Sequence, residues 1–528
     1  MRLPEAFLAE MAALWNAYQP GGTLADFLAA HQARPSSGLR VNPLKLTTAQ
    51  FLEMMPDAEL TPVPWSTTGF YTPEGLNPGR LPFYHAGLYY IQEPSAMLPA
   101  EVLAAQPGDI VLDLCAAPGG KSSRLAAMVG ETGLLWSNEI NGERAKALLR
   151  NLELMGVDRV VISQETPERL AARLPMFFDR ILVDAPCSGS GMFRRDPSAV
   201  NSWEKYGPAA CAQLQQDILE SADQLLKPGG YLVYSTCSFS LLEDEMMMAS
   251  FIASHPDYKI VKIEPVAGIS PGLSVTPELR DTARIWPHLT HGDGHYCALL
   301  HKQCTDSSSS SPNLPGETVR NLPDDSAKTL PTDRNVATAG SLTTSLARDL
   351  FNQWAEPVLS AAGLDRLRAR EDQAYYRLHQ EHLHLVPDPA VNLQGLKLVK
   401  TGLYLGQFRT LANRAMQQKT QQKPQQKPQH KSRTPLPAYS FEPAHALLLT
   451  LRATDLQQAL RLKADDPILL RYLRGETIEW PDDSRPSGAW PTGAWVAVCL
   501  EDFPLGWARA TTPGQLKNLY PPGWRKMN

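Results

Sequence analysis

The chain is poor in cysteine, and the cysteine it has is scattered. Seven in 528 residues, an odd number without clustering, argue against a disulfide framework. No CxxC pair occurs, so the spacing of a structural zinc site is missing. Long apolar runs are absent too: none approaches the roughly 20 residues that a membrane-spanning helix requires. The opening stretch MRLPEAFLAEMAALWNAYQ carries acids and lacks a small-residue cleavage site, so it reads as an amphipathic helix and not as a signal peptide. A cytoplasmic protein with no membrane partner is expected. Nor is charge of one sign in excess: the formal net charge is −5 and the pI is near 6.2. The total therefore lends no support to a nucleic-acid partner, although such binding asks only for a local basic face. A lone cysteine is usually a small buried hydrophobe, the reading given to Cys211, Cys304 and Cys499.

What is present is the texture of a globular protein, 43% hydrophobic and 20% charged. The length suggests three or four units at roughly 150 residues each. Two stretches interrupt it. Residues 305–344 are rich in Ser, Pro and Asp and cannot bury enough surface to offset the cost of ordering. Residues 417–437 are a Gln/Lys/Pro run, expected to be an extended tether. Between them lie folded blocks: an N-terminal helical and α+β extension over 1–88, a larger domain over 89–304, a mixed α+β module over 345–416, and a β-rich module over 438–528. In the extension, Gly38 to Leu44 reads as a strand leading into a helix capped at Thr47 or Thr48. From Gly108 onward, apolar strands alternate with amphipathic helices: DIVLDLCAA, GGKSSRLAAMV, GLLWSNE, NGERAKALLRNLELMG, RVVIS, DRILVDA and YLVYSTC. This rhythm predicts an α/β, Rossmann-like, doubly wound sheet.

In such sheets ligands bind beyond the carboxyl ends of the strands, over the first strand–helix turn. Here that turn is Cys115-Ala116-Ala117-Pro118-Gly119-Gly120-Lys121. Its glycines allow close backbone approach, the helix start offers amide donors, and Lys121 adds a positive charge. The next strand leads to Glu139, where an acid suits ribose hydroxyls. Neither GxGxxG nor the P-loop pattern is matched. S-adenosylmethionine, whose carboxylate is smaller than a pyrophosphate, suits the short loop better than a dinucleotide.

Beyond the strand DRILVDA stand Asp184 and Cys187, and beyond YLVYS stands Cys237. Parallel strands end on one edge, so these groups can share a pocket beside a methyl donor. Cytosine C5 is a poor nucleophile until a thiolate adds to C6 and makes it enamine-like. Charge developing in the ring needs stabilising, and the C5 proton must then leave. Either thiol could attack on these grounds. Arg194 and Arg195 could reach a phosphate or could be a solvated pair. The spacing of His288, His291, His295 and His301 fits no standard metal pattern, so no metal is expected.

CAAPGGK, DAPCSGSGMFRRDP and YSTCSFSLLEDE resemble the NOL/NOP/Sun family of RNA 5-methylcytosine methyltransferases. LRVNPLK (Leu39–Lys45) and YIQEPSAM (Tyr90–Met97) look like its upstream motifs. GETI, FPLGW and LKNLYP resemble the C-terminal module of its bacterial RsmF-like branch, which modifies small-subunit ribosomal RNA. The resemblance implies an S-adenosyl-L-methionine-dependent enzyme with an RsmF-type α+β module and a PUA-like RNA-binding module. It would act as a monomer on 16S rRNA or the 30S subunit. It implies that Cys237 is the nucleophile, that Cys187 helps to release the product, and that Asp184 contacts the base near the methionine end of the cofactor. Residues Cys115–Lys121 and Glu139 would hold the cofactor with Arg144 beside them. The family's aspartate for the adenine end is missing, and Glu165 and Thr166 stand at its place. A tRNA cytosine methyltransferase and an idle RNA-binding assembly factor are the alternatives.

Overall fold

The computed structural model describes residues 2–304, 342–372, 374–387, 393–410, 439–479, 490–511 and 514–525. Residues 305–341 of the first expected linker and all of the second fall outside these.

The catalytic-domain strands are β1 (Ile110–Asp113), β2 (Leu134–Asn138), β3 (Val160–Ser163), β4 (Phe178–Asp184), β5 (Leu226–Thr236) and β6 (His295–Lys302). A seventh, β7 (Leu398–Thr401), comes from beyond the first linker. Among the described residues they form a ten-stranded sheet in which these seven run β6-β5-β4-β1-β2-β3-β7, parallel from β5 to β3 and antiparallel on either side. Three further short strands, Tyr258–Val261, Ser270–Pro271 and Ala283–Ile285, lie at the β6 edge. The order reverses between β1 and β4, and such a reversal opens a crevice at the strands' carboxyl ends. Strands such as Val160–Ser163 are buried along their whole length, because helices cover both faces. The expected helices form as α1 (Gly120–Val129), α2 (Gly142–Leu154) and α3 (Pro167–Arg173). Asn141 caps α2, accepting from the amides of Glu143 and Arg144, and Gly156 follows its end at φ 75°.

The N-terminal extension pairs helices Glu5–Tyr18 and Leu24–Ala30 with a four-stranded sheet. Thr47, not Thr48, caps the helix Thr48–Met54, in a reciprocal box with Gln50. The LRVNPLK stretch fastens this extension to the catalytic domain. Buried Arg40 donates to Gly120 O (2.7 Å), Ser123 Oγ (2.7 Å) and Gln92 Oε1 (2.9 Å). Asn42 bonds the carbonyls of Gly87 and Met155, and Lys45 those of Ala86 and Leu154.

The C-terminal part differs from expectation at one boundary. The run LKLVKTGLYLGQF forms two strands, turned at Gly402 (φ 63°), where a Cβ would stand 2.1 Å from Leu385 O. Its first half joins the catalytic sheet as β7. Its second half, Leu403–Thr410, pairs with Tyr439–Pro443, so a single four-stranded sheet spans the boundary expected near 438. Alternation identifies a strand but does not say which sheet it joins. The last unit is a five-stranded sheet including Trp495–Leu500 and Phe503–Ala510, with helix Pro467–Leu473 beside it. Of the cysteines expected to be buried, Cys499 is, Cys211 is half-buried and Cys304 is exposed.

Candidate active site

Strand register brings the thiols together. Asp184 of β4 lies directly across from Ser235 of β5 in the parallel ladder. Cys187 follows the first by three residues and Cys237 follows the second by two, so both leave neighbouring strands on one edge. Their sulfurs stand 3.3 Å apart. The Gly191 amide donates to Cys237 O (2.8 Å), which ties the two loops together.

Behind the thiols is a carboxylate to which the sequence reading assigned no role. Glu243, fully buried, accepts from the Ser188 amide (2.8 Å), the Ser188 hydroxyl, the Ser238 hydroxyl (2.6 Å) and Gln215 Nε2 (3.1 Å). Ser188 and Ser238 each follow a cysteine, so one side chain sets both loops. Its signal was present in the run LLEDE, three consecutive acids that are all buried; Asp244 and Glu245 pair with buried Arg284. A run of acids reads as a solvated face until the fold places an arginine behind it.

Asp184 sits between Lys121 and His295. Lys121 Nζ is 2.6 Å from one oxygen, and Ser235 Oγ (2.8 Å) and His295 Nε2 (3.6 Å) lie at the other. Burial alone would raise its pKa, but Lys121 and His295 outweigh that and hold it well below the usual carboxylate range. Lys121, raised in turn by Asp184 against the effect of burial, also lies within electrostatic reach of Cys237. Its charge is thus committed to Asp184. Cys187 is pushed up by the Cys237 sulfur beside it and by burial. His295 is placed here by the pairing of β6 with β5, which begins at the next residue, Tyr296 across from Thr236; among the described residues no group of three or more His, Cys, Asp or Glu could hold a metal ion. His288 bonds Gly21 O and His301 stacks on Tyr231.

The Cys115–Lys121 turn lies at the β1–β4 crevice. Its glycines serve packing: a Cβ on Gly119 would be 3.0 Å from Leu148, and one on Gly120 3.1 Å from Tyr90 and 3.2 Å from Gln92. Gly119 also sits at φ 107°, the left-handed region that favours glycine. Ala116 donates to Asn138 O (2.8 Å), Arg144 Nη2 to Ala117 O (2.9 Å), and Asn151 to the carbonyl of Pro118 (2.8 Å). Glu139, buried, accepts from the Asn141 amide (2.8 Å) and lies 3.3 Å from Arg144. Asp113 closes β1. One of its oxygens accepts from Ser122 (2.6 Å), while Oδ1 is buried without a partner. Burial, with Asp184 nearby, pushes its pKa up to about 7.

These groups fit S-adenosyl-L-methionine. The carboxyls of Asp113, Glu139 and Asp184 gather at this crevice, which suits a ligand bearing an ammonium and a sulfonium. The orphaned Asp113 oxygen is an acceptor lacking a donor. At the place of the family's adenine residue, Thr166 caps α3, and Glu165 is held by Arg169 (2.9 Å) and the Lys397 amide (2.6 Å). Arg194 and Arg195 both pair with buried Asp293, Arg194 with 6% of its side chain exposed and Arg195 with 29%.

The family described as 16S rRNA methyltransferase RsmB/F matches residues 100–301. The N-terminal domain of 16S rRNA methyltransferase RsmF matches 3–94, its first C-terminal domain 362–410, and its PUA domain 459–526. Ribosomal RNA small subunit methyltransferase F of Serratia proteamaculans is 36% identical over 57% of this chain, which spans 63% of that protein's length. That of Klebsiella pneumoniae is 33% identical over 70% of this chain and 79% of its own. The crystal structure of PH0851 superposes with a TM-score of 0.52 at 28% identity, covering 57% of this chain and 66% of that one. The chain belongs to the NOL/NOP/Sun methyltransferase family, in its RsmF-like branch.

Proposed function

We propose that this protein methylates C5 of cytosine in small-subunit ribosomal RNA, with Cys237 as nucleophile and Cys187 as the thiol that assists release. The observation that carries the reading is the 3.3 Å approach of two thiols beside an ionised Asp184. The names of the Serratia and Klebsiella relatives support the substrate. Such a protein works where ribosomes are assembled, in the cytoplasm, and among its described residues no helix is long and apolar enough to cross a membrane.

The two sulfurs share one contact in which either can donate, and it is the family resemblance that assigns attack to Cys237 and release to Cys187. Cys237 adds to C6 of a base flipped out of its stack, and the electron pair moves into the ring. Asp184 is held ionised, which suits it to accept from the cytosine amino group rather than to protonate N3; the positive charge near the ring is that of Lys121. S-adenosyl-L-methionine supplies the electrophilic methyl group when bound. After transfer the C5 proton leaves to solvent water, the C5–H electron pair restores the C5–C6 double bond, the Sγ–C6 bond breaks, and Cys237 departs as a thiolate beside Cys187.

Paired variants test the roles. Cys237→Ala is expected to abolish both methyl transfer and the covalent protein–RNA adduct seen on denaturing gels. Cys187→Ala is expected to accumulate that adduct. The opposite pattern would reverse the assignment.

A further inference from the structure

One strand of the catalytic sheet does not come from the catalytic domain. β7 adds to the edge strand β3, with Leu398 across from Ser163, Lys400 from Ile162 and Thr401 from Val161. The addition continues past the ladder at both ends. Gly402 donates to Val160 O (2.7 Å), and Gln164 donates to Lys397 O (2.8 Å). Arg169 and Arg173 of α3 donate to the carbonyls of Gly395 (3.1 Å) and Gln394 (3.0 Å). Buried Lys400 pairs with Glu153 of α2 (3.2 Å). Leu393, Leu396 and Leu398 pack on the same core as Leu170, Ala171 and Leu174.

This segment reaches the wall of the cofactor crevice. The Lys397 amide donates to Glu165 Oε1 at 2.6 Å. The main chain of Glu165 is bonded in both directions to the Asn138 side chain: its amide donates to Oδ1 (3.1 Å) and its carbonyl accepts from Nδ2 (2.9 Å). Asn138 directly precedes Glu139, and its main-chain carbonyl receives the Ala116 amide of the cofactor turn. One chain of contacts therefore runs from residue 397 to the turn that begins at Cys115. A nucleoside laid across the carboxyl ends of β1 and β2 extends next to the loop after β3, which is residues 164–166.

We infer that the segment 393–402 is part of the cofactor site. By clamping the loop 164–166 it sets the affinity for the nucleoside end of the methyl donor. Lys397 acts as a positioning residue through its main-chain amide. The C-terminal part of the chain would then serve cofactor binding as well as RNA recruitment. The inference rests on the cofactor reading proposed above.

Lys397→Pro removes the amide that reaches Glu165 while leaving the carbonyl that accepts from Gln164. Titrating S-adenosylhomocysteine into the full-length protein by calorimetry should show binding weakened about tenfold, the scale of one lost hydrogen bond to a charged group. The KM for the methyl donor should rise with kcat far less affected, and affinity for a small-subunit rRNA fragment should not change. Because the proline could impair folding, hydrogen exchange on the unaltered protein supplies a second reading: amides of 393–402 should exchange more slowly once S-adenosylhomocysteine is bound. Equal affinity of variant and parent, or no added protection, overturns the inference and leaves the cofactor reading intact. Failure of the parent itself to bind S-adenosylhomocysteine overturns both.

Discussion

Cys187, Cys237 and Asp184 were legible as residues because their types are unusual at the ends of apolar strands, and parallel strands end together. His295, Glu243 and Asp113 were not, because each acts through partners distant in sequence: Asp184, the serines after both cysteines, and Ser122. Asp113 leads to a pH prediction. Its folded pKa is raised to about 7 by burial, so between about pH 4 and 7 the folded state keeps a proton that the unfolded chain has released. Its contribution to stability therefore falls as pH rises through that window and is level above it. Asp113→Asn escapes this loss. Its stability relative to the parent should grow by about 1.4 kcal/mol per pH unit across the window, read from urea unfolding at pH 5, 6 and 7. A gap that stays constant with pH would contradict the assignment.

Among the elements, the strands and helices bearing motifs formed where hydrophobic periodicity placed them, and caps such as Thr47 and Asn141 fixed their starts. LKLVK reads as strand-like, but an edge strand joins whatever sheet presents unpaired amides, and nothing in it names that sheet. Loops are where the elements become a site. The loop after β4 passes so close to Cys237 that a Cβ on Gly191 would lie 2.8 Å from Cys237 O and 3.1 Å from Gly294 O, both main-chain atoms. Gly191→Ala must push the two cysteine loops apart. Displacements near 1 Å at reacting groups can cost about a hundredfold in rate. A fall in kcat/KM of at least about tenfold is expected in methyl-transfer assays, with S-adenosylhomocysteine binding retained because that site lies across β1 and β2. Full activity in this variant would show that the loop spacing does not matter.

Across the whole molecule, the catalytic domain is held from both sides. Arg40 of the N-terminal sheet grips Gly120 and Ser123 at the start of α1, and β7 of the C-terminal part grips the loop after β3. Composition could separate the folded blocks at their polar linkers but could not show that their contacts cross those linkers. The LRVNPLK stretch was visible as a motif, while its use as a fastening needed the partner carbonyls of Gly87, Met155 and Leu154 in place. The central claim concerns what this assembly does to RNA. Small-subunit rRNA lacking the modification, incubated with the protein and methyl-labelled S-adenosyl-L-methionine, then digested to nucleosides and analysed by mass spectrometry, tests it most directly. The label should appear as 5-methylcytidine with the parent protein and vanish with Cys237→Ala. Label on another base or position, or undiminished 5-methylcytidine from Cys237→Ala, would contradict it.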